Sequence, residues 1–85
     1  MPLPDDFAAA QERVKTLTTR PSNDELLELY ALYKQGTAGD NVAKRPGMLD
    51  LKGRAKHDAW AGQKGKSKDQ AMTAYVSLVA RLMKG

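Results

Sequence analysis

Four stretches of this chain place apolar residues at the spacing of an α-helix, and none shows a convincing strand alternation. A chain so patterned has few folds open to it. Each helix carries one apolar stripe, and in 85 residues those stripes can be hidden only against one another. Phe7, Ala10, Val14 and Leu17 predict a first helix over roughly 5–17. Thr18, Thr19, Arg20 and Pro21 break it. Ser22 and Glu25 then form an S-x-x-E capping box, which starts a second helix running to about Gly36. Its expected stripe is Leu26, Leu29, Tyr30 and Tyr33, with Leu27 beside it. Residues 36–47 hold three glycines and a proline and read as a long ordered loop. A third helix is expected from about Leu49 to Gln63, with Leu51, Ala55, Ala59 and Trp60 turned inward and Gly62 and Gly65 ending it. Ser67 and Gln70 make a second capping box. The last helix places Ala71, Tyr75, Leu78 and Leu82 on one stripe, flanked by Met72, Val76, Val79 and Met83. The expected fold class is all-α, in a single domain over 1–85.

A domain this short has a limited core, and with no cysteine it has no disulfide to compensate. The same absence removes a thiolate nucleophile and thiolate zinc ligands. The hydrophobic fraction of 41% against 28% charged suits a folded chain. No apolar run approaches the ~20 residues that span a bilayer. The opening MPLPDDF is acidic and lacks a basic start followed by an apolar stretch, so no secretion signal is expected and the expected location is the cytoplasm.

The net charge of +4 is divided unevenly. Residues 1–25 carry three basic and five acidic side chains, and residues 26–85 carry eleven basic and five acidic. The second region attracts anions: phosphates, nucleic acid or anionic lipid. Sign alone does not choose among them.

Several residues invite a functional reading beside a plain one. Tyr30, Tyr33 and Lys34 share one helix face at i, i+3 and i+4. The phenols are either core residues with their hydroxyls at a polar edge, or a pair that stacks an adenine or donates to a phosphate. Lys34 suits the negative end of its helix as well as it suits a phosphate. Lys52, Arg54 and Lys56 put three cations into five residues, either as a solvated face or as a site for an anion that relieves their repulsion. Asp50 and Asp58 could relieve part of it. Tyr75 and Trp60 read as core, and Lys15 by itself signals nothing. His57 is the only histidine, without companions for a metal site or for nucleophilic catalysis. The glycines make no phosphate-cradling motif. No catalytic constellation results, so a binding protein is expected and not an enzyme. Pattern and charge leave three binding roles open: a small amphipathic ligand, a nucleic acid, or a protein or membrane surface.

The runs YALYKQGTAGD and RPGMLDLKGRAKHDAW, followed by SKDQAMTAY, resemble the acyl-CoA-binding protein family, also called diazepam-binding inhibitor. The similarity extends from Phe7 to about Leu82. It implies a four-helix bundle of up-down-down-up arrangement that binds long-chain acyl-CoA thioesters and forms an intracellular pool of them for lipid transport and fatty acid metabolism. It further implies that the adenosine 3′-phosphate is held by Tyr30, Lys34 and Lys56, with Tyr33, Tyr75 and Lys15 completing the acyl-CoA site. Lys52 would contribute in second rank, and Leu27 would line the acyl chain. No cofactor, metal, nucleic acid or stable membrane insertion is expected. Transient contact with membranes or acyl-CoA-using enzymes is, and the protein is expected to be a monomer. The alternative is a small basic helical nucleic-acid-binding or protein-interaction domain. The chain departs from the family pattern at His57, where a tryptophan commonly precedes D-A-W, and at Gln11, where a small residue is common. Both changes bear on the acyl groove and neither touches the tyrosine and lysine set.

Overall fold

A computed structural model describes residues 3–18 and 20–84. Four helices follow in order: α1 (Leu3–Val14), α2 (Asn23–Ala38), α3 (Leu51–Ala61) and α4 (Lys68–Met83). Both capping boxes form. The Ser22 hydroxyl accepts from the Glu25 amide at 3.1 Å while the Ser22 amide donates to the Glu25 carboxylate at 2.8 Å. Ser67 and Gln70 repeat this exchange at 3.0 and 2.9 Å. Each box satisfies amides that the first helical turn leaves without a partner.

The ends differ from the periodic expectation for local reasons. α1 stops at Val14, not Leu17, because the chain tightens into three-residue turns. There the Thr16 hydroxyl also donates to the Arg13 carbonyl at 2.6 Å, competing with the helical ladder. Thr19, part of the expected break, lies outside the described residues. α2 runs through Gly36 to Ala38, and Gly36 lies close against α4 and α1. A Cβ there would stand 3.1 Å from the Met72 Cγ and 3.5 Å from the Phe7 ring. The helix ends at Gly39, whose φ of 83° favours glycine. α3 begins at Leu51 rather than Leu49, capped by the Asp50 carboxylate, which accepts from the Gly53 amide at 2.9 Å.

α4 is the centre of the bundle, packing on α1 and on α2, while α3 packs on α2. Paired contacts give the directions. Lys56 meets Tyr30 and Trp60 meets Lys34, so α2 and α3 run parallel. Gln35, near the end of α2, donates to the carbonyl of Lys66 just before α4, so α4 runs back against α2. Phe7 meets Tyr75 in the first half of α4 and Tyr33 in the second half of α2. The bundle is the expected up-down-down-up arrangement.

The core is Phe7 and Ala10 from α1, Leu29 and Leu32 from α2, and Ala71, Tyr75, Leu78 and Val79 from α4. Two expectations are corrected here. The buried stripe of α2 continues from Leu29 to Leu32, Gln35 and Gly36, whereas Tyr30 is half-buried and Tyr33 is 38% exposed. A helix between two neighbours has two inner faces, and a single stripe read from the sequence merges them. Leu51 was expected inward and is 75% exposed, because α3 packs on α2 alone and Leu51 lies at its free first turn. No residue of α3 is fully buried.

The 39–50 segment is held to α3 by side chains. Asn41 donates to the His57 carbonyl at 3.3 Å, the His57 Nε2 lies 2.9 Å from the Ala43 carbonyl, and Arg45 pairs with Asp58 at 2.7 Å. Gln35 is fully buried and reaches both the Asp40 carboxylate at 2.8 Å and the Lys66 carbonyl at 2.9 Å. One amide thus ties the loop after α2 to the start of α4.

Candidate functional site

Parallel α2 and α3 enclose, along their N-terminal halves, a cleft of about 420 Å³. Leu26 and Leu27 from α2 and Ala55 from α3 supply apolar walls, and the exposed Leu51 lines it as well. The polar members are Tyr30, Asn23, Lys52, Lys56 and Arg20. Lys52 and Lys56 share a helix face, and their repulsion is left for solvent or an anion to relieve. The cleft therefore offers apolar surface beside three cations and a phenol. The matching ligand has a greasy part and an anionic part.

The residues nominated from sequence fall into separate neighbourhoods. Tyr30 and Lys56 come together in the cleft, with the Lys56 Nζ 5.5 Å from the Tyr30 ring centroid. One turn further on, the Lys34 Nζ lies 5.0 Å from the Trp60 ring centroid. Trp60 was expected as core. It is half-buried between α2 and α3, and its Nε1 donates to the Gly39 carbonyl at 2.8 Å. Tyr33 and Tyr75 flank Phe7, the first stacked at 6.0 Å and the second edge-on at 5.0 Å. Burial, and secondarily the neighbouring Tyr33, push the Tyr75 phenol above its ordinary value. Lys15 lies apart, just past α1, and is exposed and ion-paired with Glu12 at 2.8 Å. The Glu12 carboxylate raises its ammonium above the ordinary lysine value, by hydrogen bond first and charge second.

Residues 4–79 match the model of the Acyl CoA binding protein family. The chain belongs to that family. It is 62% identical over 79 residues to Acyl-CoA-binding protein homolog 1 of Caenorhabditis elegans, covering 93% of this chain and 88% of the relative. It is 54% identical over 79 residues to the Acyl-CoA-binding protein homolog of Drosophila melanogaster, covering 93% and 92%. The crystal structure of Acyl-CoA-Binding Protein 2 from Oryza sativa superimposes with a TM-score of 0.92 at 44% identity, covering 96% of this chain and 89% of that one. The acyl-CoA-binding fold thus persists with more than half of the side chains changed, as expected when a few buried contacts and caps define the bundle.

Within this acyl-CoA-binding domain, Leu27 and Lys52 line the cleft, and so does Arg20, which the sequence reading took only as part of a helix break. The signal for Arg20 was its place two residues before the Ser22 cap, at the end of α2 that faces the opening of α3. Neither of the two departures from the family pattern lines the cleft. His57 turns to the 39–50 segment, with Nδ1 3.5 Å from the Asp58 carboxylate, and Gln11 donates back to the Phe7 carbonyl at 3.4 Å. Among the described residues no group of side chains has the geometry of a metal site, and no helix is long and apolar enough to cross a membrane.

Proposed function

We propose that this protein binds long-chain acyl-CoA thioesters one to one and carries them without performing chemistry on them. The observation that supports this most directly is the α2–α3 cleft, where leucines stand beside Tyr30, Lys52 and Lys56, in a chain of the acyl-CoA-binding family. An acyl chain removed from water gains roughly 0.8 kcal/mol per methylene. About fourteen methylenes offer on the order of 11 kcal/mol before ordering costs. The nucleotide end supplies the second anchor. Lys56 and Lys34 hold the adenosine 3′-phosphate as mobile point charges, Tyr30 donates to it, and Tyr33 presents a face or a hydroxyl to the adenosine.

Lys34 and Lys56 stand over aromatic rings, within reach of a phosphate through their flexible stems. Lys15 joins the site by exchanging Glu12 for a ligand oxygen, and Tyr75 contributes its hydroxyl from beneath Phe7. A carrier of this kind shields chain and thioester from water and works as a cytoplasmic monomer. Cations gathered around an apolar cleft favour such a ligand over nucleic acid, which is met by cations spread along an exposed face.

Calorimetric titration with palmitoyl-CoA, with CoA and palmitate as controls, tests the reading. Saturable one-to-one binding, much tighter for the thioester than for either half, is the expected result. Binding of free CoA as tight as that of palmitoyl-CoA would overturn it.

A further inference from the structure

One strip of α1 runs from the core to the surface through a single amide. Phe7 and Gln11 are four residues apart, so their Cβ atoms stand about 5–6 Å from each other on one helix face. Lys15 continues the strip into the turn that closes α1. Phe7 is buried, with Tyr33 stacked on it at 6.0 Å and Tyr75 edge-on at 5.0 Å. Lys15 is exposed. The half-buried Gln11 therefore stands between the two tyrosines and the lysine that complete the acyl-CoA site in the reading above.

Its amide is loosely held. Nε2 donates to the Phe7 carbonyl at 3.4 Å, which is long for such a bond, and that carbonyl also belongs to the ladder of α1. Oε1 makes no hydrogen bond among the described residues and is open to solvent, unlike the sealed Oε1 of Gln35. A primary amide offers a donor and an acceptor side by side. An acyl chain uses neither, and a phosphate uses only the donor. Adenine matches both, since its exocyclic amine donates and the ring nitrogen beside it accepts.

Position agrees with this chemistry. In the acyl-CoA reading, Tyr30, Lys34 and Lys56 hold the ribose phosphate between α2 and α3. Tyr33 lies on the side of α2 that meets Phe7 of α1. A base laid against Tyr33 thus brings its edge to α1, one turn beyond Phe7, where Gln11 stands.

We propose that Gln11 reads the adenine of acyl-CoA, accepting from the exocyclic amine through Oε1 and donating to the neighbouring ring nitrogen through Nε2. The proposal deepens the acyl-CoA reading and rests on it. It gives a role to the departure from the family pattern at this position, because the small residue common there has no group with which to contact the base edge.

The test titrates the full chain and Gln11→Ala calorimetrically with palmitoyl-CoA and with an analogue whose base is purine, carrying hydrogen in place of the exocyclic amine. Alanine suits a half-exposed helical position, so a thermal melt should place the variant at or above the parent. Gln11→Ala should weaken palmitoyl-CoA binding by about fivefold or more. Removing the amine should weaken the parent by a similar factor and the variant by about twofold at most, since the two changes delete one contact. Two results overturn the base contact: a variant that binds palmitoyl-CoA as tightly as the parent does, or an amine removal that costs both proteins the same factor. Saturable binding of palmitoyl-CoA by the parent would keep the carrier reading in either case. Absence of that binding would overturn the carrier reading, and the base contact with it.

Discussion

Replacing Lys56 with alanine separates a phosphate clamp from a merely solvated lysine. A hydrogen bond to a charged group contributes roughly 1.5–3 kcal/mol. Lys56 leaves the Tyr30 ring to make it, surrendering a contact of about 0.5–1 kcal/mol. The net loss on Lys56→Ala is then roughly 1–2 kcal/mol, a five- to thirtyfold weaker affinity for palmitoyl-CoA. Affinity alone would not identify the partner of the lysine, so the ligand is varied too. Palmitoyl-CoA and its 3′-dephospho analogue are titrated calorimetrically into parent and variant. If Lys56 holds the 3′-phosphate, removing that phosphate weakens the parent about tenfold or more and the variant much less, because the two changes delete one interaction. Equal factors in both proteins would refute the assignment, even if Lys56→Ala binds weakly. A thermal melt of the variant accompanies the titration, to separate loss of affinity from loss of fold.

Three further outcomes concern the scaffold. Leu32→Ala, at a site 1% exposed, should cost about 2–5 kcal/mol in urea unfolding, while Leu49→Ala, fully exposed, should leave the midpoint unmoved; similar shifts in the two would contradict the core described above. Gly36→Val should destabilise by about 1–3 kcal/mol, because its branches meet Met72 and Phe7 where α2 crosses α4, and a midpoint at or above the parent's would argue against that close approach. The Asp40 carboxylate is held below the ordinary carboxylate range by the Gly65 amide first and Gln35 second. Its contribution is therefore complete above the ordinary value and lost as pH falls through the lower folded one. Asp40→Asn should have a shallower acid limb in a plot of melting temperature against pH, and an unchanged limb would remove Asp40 from the account.

Helix number, the caps at Ser22 and Ser67, and the membership of α4 in the core were legible in the chain, because they depend on neighbours three and four residues apart. The pairing of α2 with α3 was not derivable from spacing, and with it went the roles of individual side chains. Leu32 was missed as core and Tyr33 was over-buried, since a helix touching both α3 and α4 blurs the single stripe on which periodicity relies. Tyr30, Lys34 and Lys56 were singled out by residue type and by family resemblance. Only the parallel run of α2 beside α3 sets Lys56 over Tyr30 and Lys34 over Trp60. Arg20 entered the cleft for the same reason, from a stretch whose local signal was only a helix break. Local spacing thus determined which segments are helices and which of their faces are apolar. The tertiary structure alone decided which residues meet, because contacts between helices depend on how stripes from distant parts of the chain exclude water together, and that choice has no period along the sequence.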